Sequence, residues 1–217
     1  MTFERARNEE NKRIRLEEIK SAAIKLFDHY PYHEITLAKI GKEINFTRAN
    51  LYKYVSSKED IYIHIMLDEI KHVVDEMEIT LMTEDQLDAK SFAYSWALLL
   101  DKNPRYLKLF SLLFTILEQN ATLETLVEFK NELATINLRI SKVIQHNFPE
   151  FNDQDVAKLL HMSFAYIISG YSFCQPSDLQ REATKLSHYS YTFPNFVDSF
   201  TETLVLIVNG MRLGKIV

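Results

Sequence analysis

Residues 48–54 bring together side chains with several kinds of recognition chemistry: Arg48, Asn50, Tyr52, Lys53 and Tyr54. Arginine and lysine pair with phosphates or guanine edges, and asparagine pairs bidentately with adenine. A tyrosine offers its hydroxyl to a phosphate or its ring to a thymine methyl group. On one short helix, this mixture suits a DNA groove better than a protein core.

The neighbouring residues favour the same chemistry. Ala49 is small enough for a helix to approach DNA closely. Thr47 and Lys58 stand at predicted helix starts, where outward backbone N–H groups suit a phosphate. Two alternatives stay open, since Tyr52 and Tyr54 are also typical of core aromatics and Lys58 is also typical of a solvated lysine.

A longer helix precedes this run. Apolar residues between positions 16 and 30 recur at intervals of three and four, which is the spacing of one helix face. We therefore predict a helix from Leu16 to about His29. Pro31 ends it, because proline lacks an N–H and pushes the preceding residue out of the helical region.

Two short helices then flank a tight turn. Thr36 is a good N-cap for the first, and Thr47 caps the second, whose inward side carries Leu51 and Val55. Asn45, between them, tolerates the left-handed conformation that ends such helices. Two short helices joined in this way and supported by a third form a helix-turn-helix by spacing.

The rest of the chain also predicts helices. A capping box at residues 57–60 opens a fourth helix, whereas residues 177–192 are polar and predict a loop with at most a short helical turn. With 4 glycines and 5 prolines in 217 residues, the chain lacks the turn residues of β-sandwiches, barrels and Rossmann folds. We expect an all-α fold of about nine helices. The later ones begin near Thr83, Pro104, Thr122, Asn152 and Pro194.

Charge is divided unevenly along the chain. The net charge is -5, but residues 1–60 hold 12 Lys and Arg against 10 Asp and Glu, whereas the remainder holds 13 against 20. The first part is thus the better candidate for a phosphate-facing end.

The sequence also indicates a compartment. Its single cysteine, Cys174, cannot form an intramolecular disulfide, and the charged N-terminus lacks the apolar region of a signal peptide. The longest apolar stretch, residues 159–174, is too short to span a membrane. We expect a cytoplasmic protein with no membrane partner.

Three spaced motifs point to a family: Ile19-x-x-Ala22-Ala23-x-x-Leu26-Phe27, Thr36-x-x-x-Ile40 and Leu51-Tyr52-x-Tyr54-Val55-x-x-Lys58-Glu59. With them, residues 12–66 resemble the N-terminal domain of the TetR family of bacterial transcriptional regulators. The resemblance implies a helix-turn-helix DNA-binding domain at residues 1–56 and a larger helical bundle for ligand binding and dimerisation at residues 57–217. It also implies a two-fold symmetric, double-stranded operator.

By position, the resemblance implies base contacts from Arg48, Ala49 and Asn50. It implies contacts to the DNA backbone from Thr36, Lys39, Thr47, Tyr52, Lys53, Tyr54 and Lys58. The sequence departs from the family pattern at Pro31, Gly41 and Asn45, which turn chemistry accommodates. Asn50 stands where the family commonly has threonine or serine, and this affects base preference rather than fold.

The C-terminal portion offers two sets of candidate residues. Because ligand pockets are mostly apolar with a few polar groups, we expect an effector site lined by Trp96, Phe110, Phe114, His161, Phe164 and Tyr171. We expect a dimer interface on two helices, at Met162, Tyr166, Phe196, Phe200 and Leu204. Aromatic residues at helical spacing are equally typical of packing within one chain.

No catalytic constellation is found, so we expect neither an enzyme nor a metal or other cofactor. His64 and His72 are eight residues apart, not the four of a helical metal pair. The expected function is that of a homodimeric repressor, released from its operator by a small-molecule effector acting through the fourth helix. The alternative is a helical protein-interaction or ligand-binding module without DNA binding.

Overall fold

The computed structural model describes residues 2–214, with side chains from residue 10 onward. Within this range the protein is helical, with no β-strand, which confirms the all-α prediction. The helices are α1 (Thr2–His29), α2 (Leu37–Glu43), α3 (Arg48–Leu51), α4 (Lys58–Leu81), α5 (Ala89–Asp101), α6 (Pro104–Leu112), α7 (Leu123–Asn147), α8 (Asp153–Cys174), α9 (Asp178–Leu186) and α10 (Phe196–Leu213). A 3₁₀ turn spans Tyr32–Glu34, and α6 continues through a π turn at Leu113–Leu117 into Glu118–Asn120.

The contacts divide the chain into two compact units. The first runs to Asp68 and includes Leu113–Leu133, and the second comprises Glu69–Leu112 and the residues from Ala134 onward. Helices α4 and α7 therefore each begin in the first unit and end in the second. The predicted domain boundary after residue 56 lies just before the start of α4 and does not coincide with this division. It stays a prediction.

The first unit has a continuous apolar core beneath α2 and α3. Leu51 and Val55 are buried, as their inward assignment predicts. Tyr62 of α4 is also buried, and its hydroxyl donates to the carbonyl of Ala23 at 3.0 Å. This hydrogen bond joins α4 to α1, so the helix that leaves the unit is fixed to the helix that supports α2 and α3.

Gly41 permits the close approach of α2 to the turn. A Cβ at this position would lie 2.8 Å from the carbonyl oxygen of Phe46 and 2.9 Å from Cδ1 of Leu51. Neither distance is tolerated between unbonded atoms of this kind. The glycine within the second helix therefore serves packing rather than a turn.

The second unit is built around α5, which packs against α10. Its core contains edge-to-face aromatic contacts, with ring centroids 5.7 Å apart for Phe92 and Trp96, and 5.6 Å apart for Trp96 and Phe200. Phe148 adds a fourth ring, 4.9 Å from Phe92. Such geometry is favourable for aromatic pairs and defines one packed interior for this unit.

Most predicted caps are present. Thr36 accepts from the N–H of Lys39, and Ser57 and Asp60 form a reciprocal capping box with distances of 2.9 and 3.0 Å. Asn152 forms a second capping box at the start of α8. These side chains satisfy first-turn N–H groups that no backbone carbonyl reaches, which is why they could be identified from the sequence.

Two predicted helix starts are wrong. Helix α1 begins at Thr2, not at Leu16. The residues before Leu16 form no apolar face, but charged side chains can stabilise a helix through i,i+3 ion pairs. Arg13 and Glu10 form such a pair, at 2.8 Å. Helix α5 begins at Ala89 because Asp88 caps it, whereas the Thr83 hydroxyl donates to the carbonyl of Asp85 within a turn.

The third wrong prediction concerns residues 177–192, which contain the nine-residue helix α9 rather than a loop. Ser177 and Gln180 cap each other's backbone N–H groups at 2.8 and 3.2 Å. Ser-x-x-Gln is a capping-box signature, so the sequence did contain the missed signal.

Candidate nucleic-acid interface

The turn between α2 and α3 is held by its own backbone. Asn45 has a φ of 56°, in the left-handed region that asparagine tolerates. The N–H of Phe46 then donates to the carbonyl of Gly41 at 2.8 Å. Thr47 caps α3 by accepting from the N–H of Asn50 at 3.2 Å. The direction of α3 is therefore fixed before any ligand binds.

Helix α3 contains only four residues. Regular helix ends at Leu51, and the N–H groups of Tyr54 and Val55 both reach back to the carbonyl of Leu51. Along this segment Leu51 is buried, whereas the side chains on its other sides are exposed: Thr47, Arg48, Ala49, Asn50, Tyr52 and Lys53. The exposed set contains both cations and the asparagine that sequence analysis assigns to DNA.

Arg48 is oriented by Tyr52, one helical turn along. Its Nε and Nη2 both donate to the phenolic oxygen of Tyr52, at 3.2 and 2.9 Å. The guanidinium also lies 5.4 Å from the centre of the tyrosine ring, a cation–π distance. Because the phenolic oxygen accepts both bonds, its own hydrogen stays available for a donor contact. The exposure of Tyr52 excludes its alternative assignment to the core.

Tyr54 lies on the inner side of the same segment. It is half-buried, and its ring centroid is 6.3 Å from that of Phe46. The guanidinium of Arg15 from α1 lies 5.6 Å from the Phe46 ring centre, and it also pairs with Glu18. Arg15 is a basic residue beside α3 that sequence reasoning missed, because its distance along the chain gives no signal of this contact.

Lys58, at the start of α4, points toward backbone carbonyls. Its ammonium donates to the carbonyls of Ile35 and Tyr32 at 2.9 and 3.2 Å, and lies 4.1 Å from the Tyr32 ring centre. Burial lowers the pKa of Lys58, against the opposing effect of nearby Glu59. An ammonium has three N–H groups, so one remains for the predicted phosphate contact.

Tyr32 receives this ammonium and also contacts the next residue of α4. Its hydroxyl donates to Oε1 of Glu59 at 2.8 Å. Burial raises the pKa of Tyr32, and the carboxylate of Glu59 raises it further. Tyr32 therefore stays a neutral hydrogen-bond donor that connects the 3₁₀ turn to α4.

Thr36 and Lys39, on α2, are the remaining predicted contacts to the DNA backbone, and both are exposed. The ammonium of Lys39 lies 5.4 Å from the ring centre of Tyr30. The hydroxyl of Thr36 is already an acceptor in its cap, and it keeps its own hydrogen for a phosphate.

The predicted effector residues are placed differently from one another. Trp96 is buried, and the space beside it is filled by the rings of Phe92 and Phe200. Its role in an effector pocket stays a prediction, because helical spacing does not distinguish a pocket wall from a core.

The other predicted effector residues lie on both units. Phe110 and Phe164 are in contact in the second unit, with centroids 5.4 Å apart, and Tyr171 packs edge-on against Phe196. His161 is exposed. Phe114 belongs to the first unit and is exposed there, with the Lys130 ammonium 5.8 Å from its ring centre. The ligand role of these residues stays a prediction.

The predicted dimer residues separate into core and surface. Phe196, Phe200 and Leu204 are buried within the single chain, so they do not form an exposed face. Tyr166 is half-buried, with its ring 5.9 Å from that of Phe200. Met162, by contrast, is 40% exposed. The interface role of these residues stays a prediction, since periodicity locates an apolar face but not what covers it.

Among the residues described, histidine, cysteine, aspartate and glutamate form no group of three or more that could hold a metal ion. None of the helices described is long and apolar enough to cross a membrane.

Comparisons with known proteins agree with the helix-turn-helix geometry. Residues 19–65 match the family described as bacterial regulatory proteins, tetR family. Residues 67–215 match the tetracyclin repressor-like C-terminal domain. No curated protein matches the chain significantly.

Solved structures with the same fold include three regulators. A TetR/AcrR family transcriptional regulator from Thermobifida fusca has 18% sequence identity and a TM-score of 0.55, over 90% of this chain and 97% of that one. The fatty acid degradation regulator FadR from Bacillus halodurans has 16% identity and a TM-score of 0.57, over 91% and 96%. The regulator PfmR from Thermus thermophilus has 16% identity and a TM-score of 0.53, over 88% and 97%.

Each of these identities is low enough that the likeness shows the fold alone. The two family matches carry the assignment, because together they extend from residue 19 to residue 215 and place the helix-turn-helix where Thr36, Asn45 and Thr47 shape it. The chain belongs to the TetR family of bacterial transcriptional regulators.

Proposed function

We propose that the protein is a homodimeric transcriptional repressor that binds a two-fold symmetric operator and is released from it by a small-molecule effector. The observation that carries this proposal is the exposed α3 segment, where Tyr52 orients Arg48 and where Asn50 and Lys53 are also exposed. Such a helix places its N-terminal residues in the major groove. We further propose that the protein acts by binding rather than catalysis, in the cytoplasm.

The roles within the interface follow from side-chain chemistry. Arg48, Ala49 and Asn50, at the start of α3, contact base edges. The backbone contacts come from residues whose hydroxyl or ammonium groups flank that start: Thr36, Lys39, Thr47, Tyr52, Lys53, Tyr54 and Lys58. In this arrangement base contacts give specificity, and phosphate contacts give affinity and orientation.

Dimerisation places two such helices on one operator. Helices α8 and α10 supply the interface in this proposal, through side chains that the single chain leaves uncovered. Met162 and Phe173 on α8 are 40% and 64% exposed, and Leu206 and Leu213 on α10 are also exposed. Exposed apolar residues on two adjacent helices suit an isologous contact between copies.

The two DNA-binding domains of a dimer must be separated by the right distance to bind one operator. Release requires the effector to bind a dimer with a different separation more tightly, because a ligand shifts an equilibrium only by its differential affinity. Helix α4 begins at the capping box of Ser57 in the first unit and ends in the second. We propose that α4 carries the change from the ligand-binding domain to the DNA-binding domain, which we divide after residue 56.

DNA binding by variants tests the proposal. DNA selected from a random pool would be titrated with the wild type and with Asn50→Ala, Lys53→Ala and, as a control on an exposed lysine of the second unit, Lys102→Ala. We expect Asn50→Ala to weaken binding to the selected DNA by about 1–3 kcal/mol and to relax sequence preference. We expect Lys53→Ala to weaken binding to DNA of any sequence. It should also lower the slope of log affinity against log salt concentration by about one.

The control should bind as the wild type does. Equal binding by the wild type, Asn50→Ala and Lys53→Ala would instead favour the alternative, a helical interaction or ligand-binding module. Lys53 is preferred here to Lys58, because removing Lys58 would also deprive the carbonyls of Tyr32 and Ile35 of a donor.

A further inference from the structure

Helix α9 has an apolar side that the single chain does not cover. Leu179 and Leu186 are 80% and 79% exposed, Ala183 between them is also exposed, and α9 has no buried residue. At positions i, i+4 and i+7 the three side chains share one face. A nine-residue helix is marginal in water unless such a face is packed, so this face calls for a partner.

The exposure continues beyond α9 into residues 187–193. Tyr189 and Tyr191 are exposed, with rings stacked 5.6 Å apart, and Tyr191 meets Phe193 edge-on at 5.1 Å. The guanidinium of Arg181 lies 5.9 Å from the Phe193 ring centre and joins this stretch to α9. We call residues 177–193 the arm. It has internal contacts, yet most of its apolar surface faces solvent.

A groove that could receive such a face lies between α8 and α10. Its volume is about 430 Å³. Its apolar walls include Met162, Leu206, Ile207 and Met211, and the charged residues Asp155 and Lys158 also line it. A Cβ at Gly210, which also lines the groove, would meet nothing within 4 Å. Flexible methionines and an open glycine suit a site that accommodates apolar side chains from another segment.

The arm and the groove lie at opposite ends of α8. The groove is beside Met162, whereas the arm follows Cys174, twelve residues and about 18 Å further along the helix. In an isologous contact, residue i of one copy meets residue j of the other, and the reverse. A two-fold axis that crosses α8 between these ends therefore brings each copy's arm toward the other copy's groove.

The surface between the two ends is continuous with the proposed dimer interface. Met162, Ala165, Ser169 and Phe173 are exposed, and they recur at intervals of three and four along one face of α8. Ala165 and Ser169 are small, so two copies of α8 can approach closely at the middle of this stripe. The exposed stripe ends at Phe173, next to the arm.

The charges of α9 favour a protein partner over an anionic one. Asp178 and Glu182 balance Arg181 and Lys185, so the helix carries no net charge. A helix that binds a membrane surface usually has an excess of Lys and Arg on its polar side, as does one that binds DNA. The charge balance therefore argues against a membrane or DNA as the partner, and the continuity of the exposed α8 stripe with the arm favours a second copy of this chain.

We propose that the arm of one copy packs Leu179, Ala183 and Leu186 into the α8–α10 groove of a second copy. This inference rests on the proposed dimer and adds to it a reciprocal exchange, with two arms and two grooves per dimer. The arm then stabilises the dimer from outside the central contact between the α8 helices.

Sedimentation equilibrium of the full chain tests the energetic part. Leu179→Ser with Leu186→Ser should raise the dimer dissociation constant at least about tenfold, because two leucines lose their buried position. Leu123→Ser with Leu138→Ser changes two similarly exposed leucines on α7 and should leave the constant within about twofold. An unchanged far-ultraviolet circular dichroism spectrum would show that the arm variant is folded.

A dimer dissociation constant that is the same for the arm variant as for the wild type overturns the inference and leaves the proposed dimer intact. A wild type that stays monomeric overturns both. DNA binding by that monomer would then show whether the regulator assignment stands, so the two failures are distinguishable.

Cysteine cross-linking tests the placement. In a Cys174→Ala background, which removes the single native thiol, Leu186→Cys and Leu206→Cys would be combined in one chain and mildly oxidised. We expect a disulfide-linked dimer that neither single variant forms. An intrachain disulfide, with the product at monomer mass, would show that the arm covers its own groove and would overturn the exchange. Failure to cross-link in a variant that still dimerises would do the same.

Discussion

The substitution Tyr52→Phe removes one oxygen from the candidate interface and leaves the aromatic ring. That oxygen accepts two hydrogen bonds from the Arg48 guanidinium, at 3.2 and 2.9 Å, whereas the cation–π contact at 5.4 Å needs only the ring. The variant therefore separates the orientation of Arg48 by hydrogen bonding from its attraction to the aromatic face.

The magnitude follows from the exposure of the pair. A hydrogen bond to a charged group contributes about 1.5–3 kcal/mol when it is well shielded. Because Tyr52 is 46% exposed, water competes for Arg48, and we expect only about 1 kcal/mol, or roughly fivefold in affinity. The loss should be larger on selected DNA than on random DNA, since a guanidinium that is no longer oriented loses base readout before phosphate attraction.

Fluorescence anisotropy on selected and random duplexes at one salt concentration measures both losses. The matched control is Tyr30→Phe, because Tyr30 is 48% exposed and also lies beneath a cation, Lys39 at 5.4 Å. Its hydroxyl has no assigned role in DNA contact, so affinity should change by less than about twofold. Equal affinity of Tyr52→Phe and the wild type for selected DNA, or an equal loss in both tyrosine variants, would refute the role given to the Arg48–Tyr52 pair.

Three other substitutions test packing and hydrogen bonding within the two units. Gly41→Ala should destabilise the protein by about 1–3 kcal/mol, because the added Cβ would lie 2.8 Å from the Phe46 carbonyl, and denaturant unfolding without a shift would contradict this. Phe200→Ala should destabilise by about 3–5 kcal/mol as a buried residue, whereas normal stability with lost dimerisation would return Phe200 to the interface. Burial raises the pKa of Asp60, but hydrogen bonds from Thr122 and Ser57 outweigh burial and hold that pKa below its usual value. Because its pKa is lowered in the folded state, ionised Asp60 stabilises the protein above the unfolded pKa, and this stabilisation is lost as the pH falls. Thermal stability should therefore decrease below about pH 4, and Asp60→Asn should make stability less dependent on pH in that range. A pH profile of thermal stability that is the same for Asp60→Asn as for the wild type would contradict the assignment.

The first unit was largely predictable because its determinants are local. Thr36, Thr47 and Ser57 cap helices by bonding to N–H groups three residues away, and Asn45 turns the chain by its own backbone preference. Each of these interactions is completed within a few residues, so spacing in the sequence specifies it.

Interactions between distant residues were not predictable in the same way. Lys58 meets the carbonyls of Tyr32 and Ile35, and Phe200 meets Trp96, in both cases across long stretches of chain. Helical periodicity showed that Phe200 belongs to an apolar face. It did not show that the face is covered by the same chain rather than by a second copy.

The central claim is that two copies of α3 read one symmetric operator, and hydroxyl-radical footprinting of selected DNA tests it most directly. We predict two protected patches of related sequence, with centres one helical turn of about 10 base pairs or a multiple of it apart. Asn50→Ala should weaken protection of both patches together. A single protected patch, or protection spread equally over unrelated sequences, would contradict the claim.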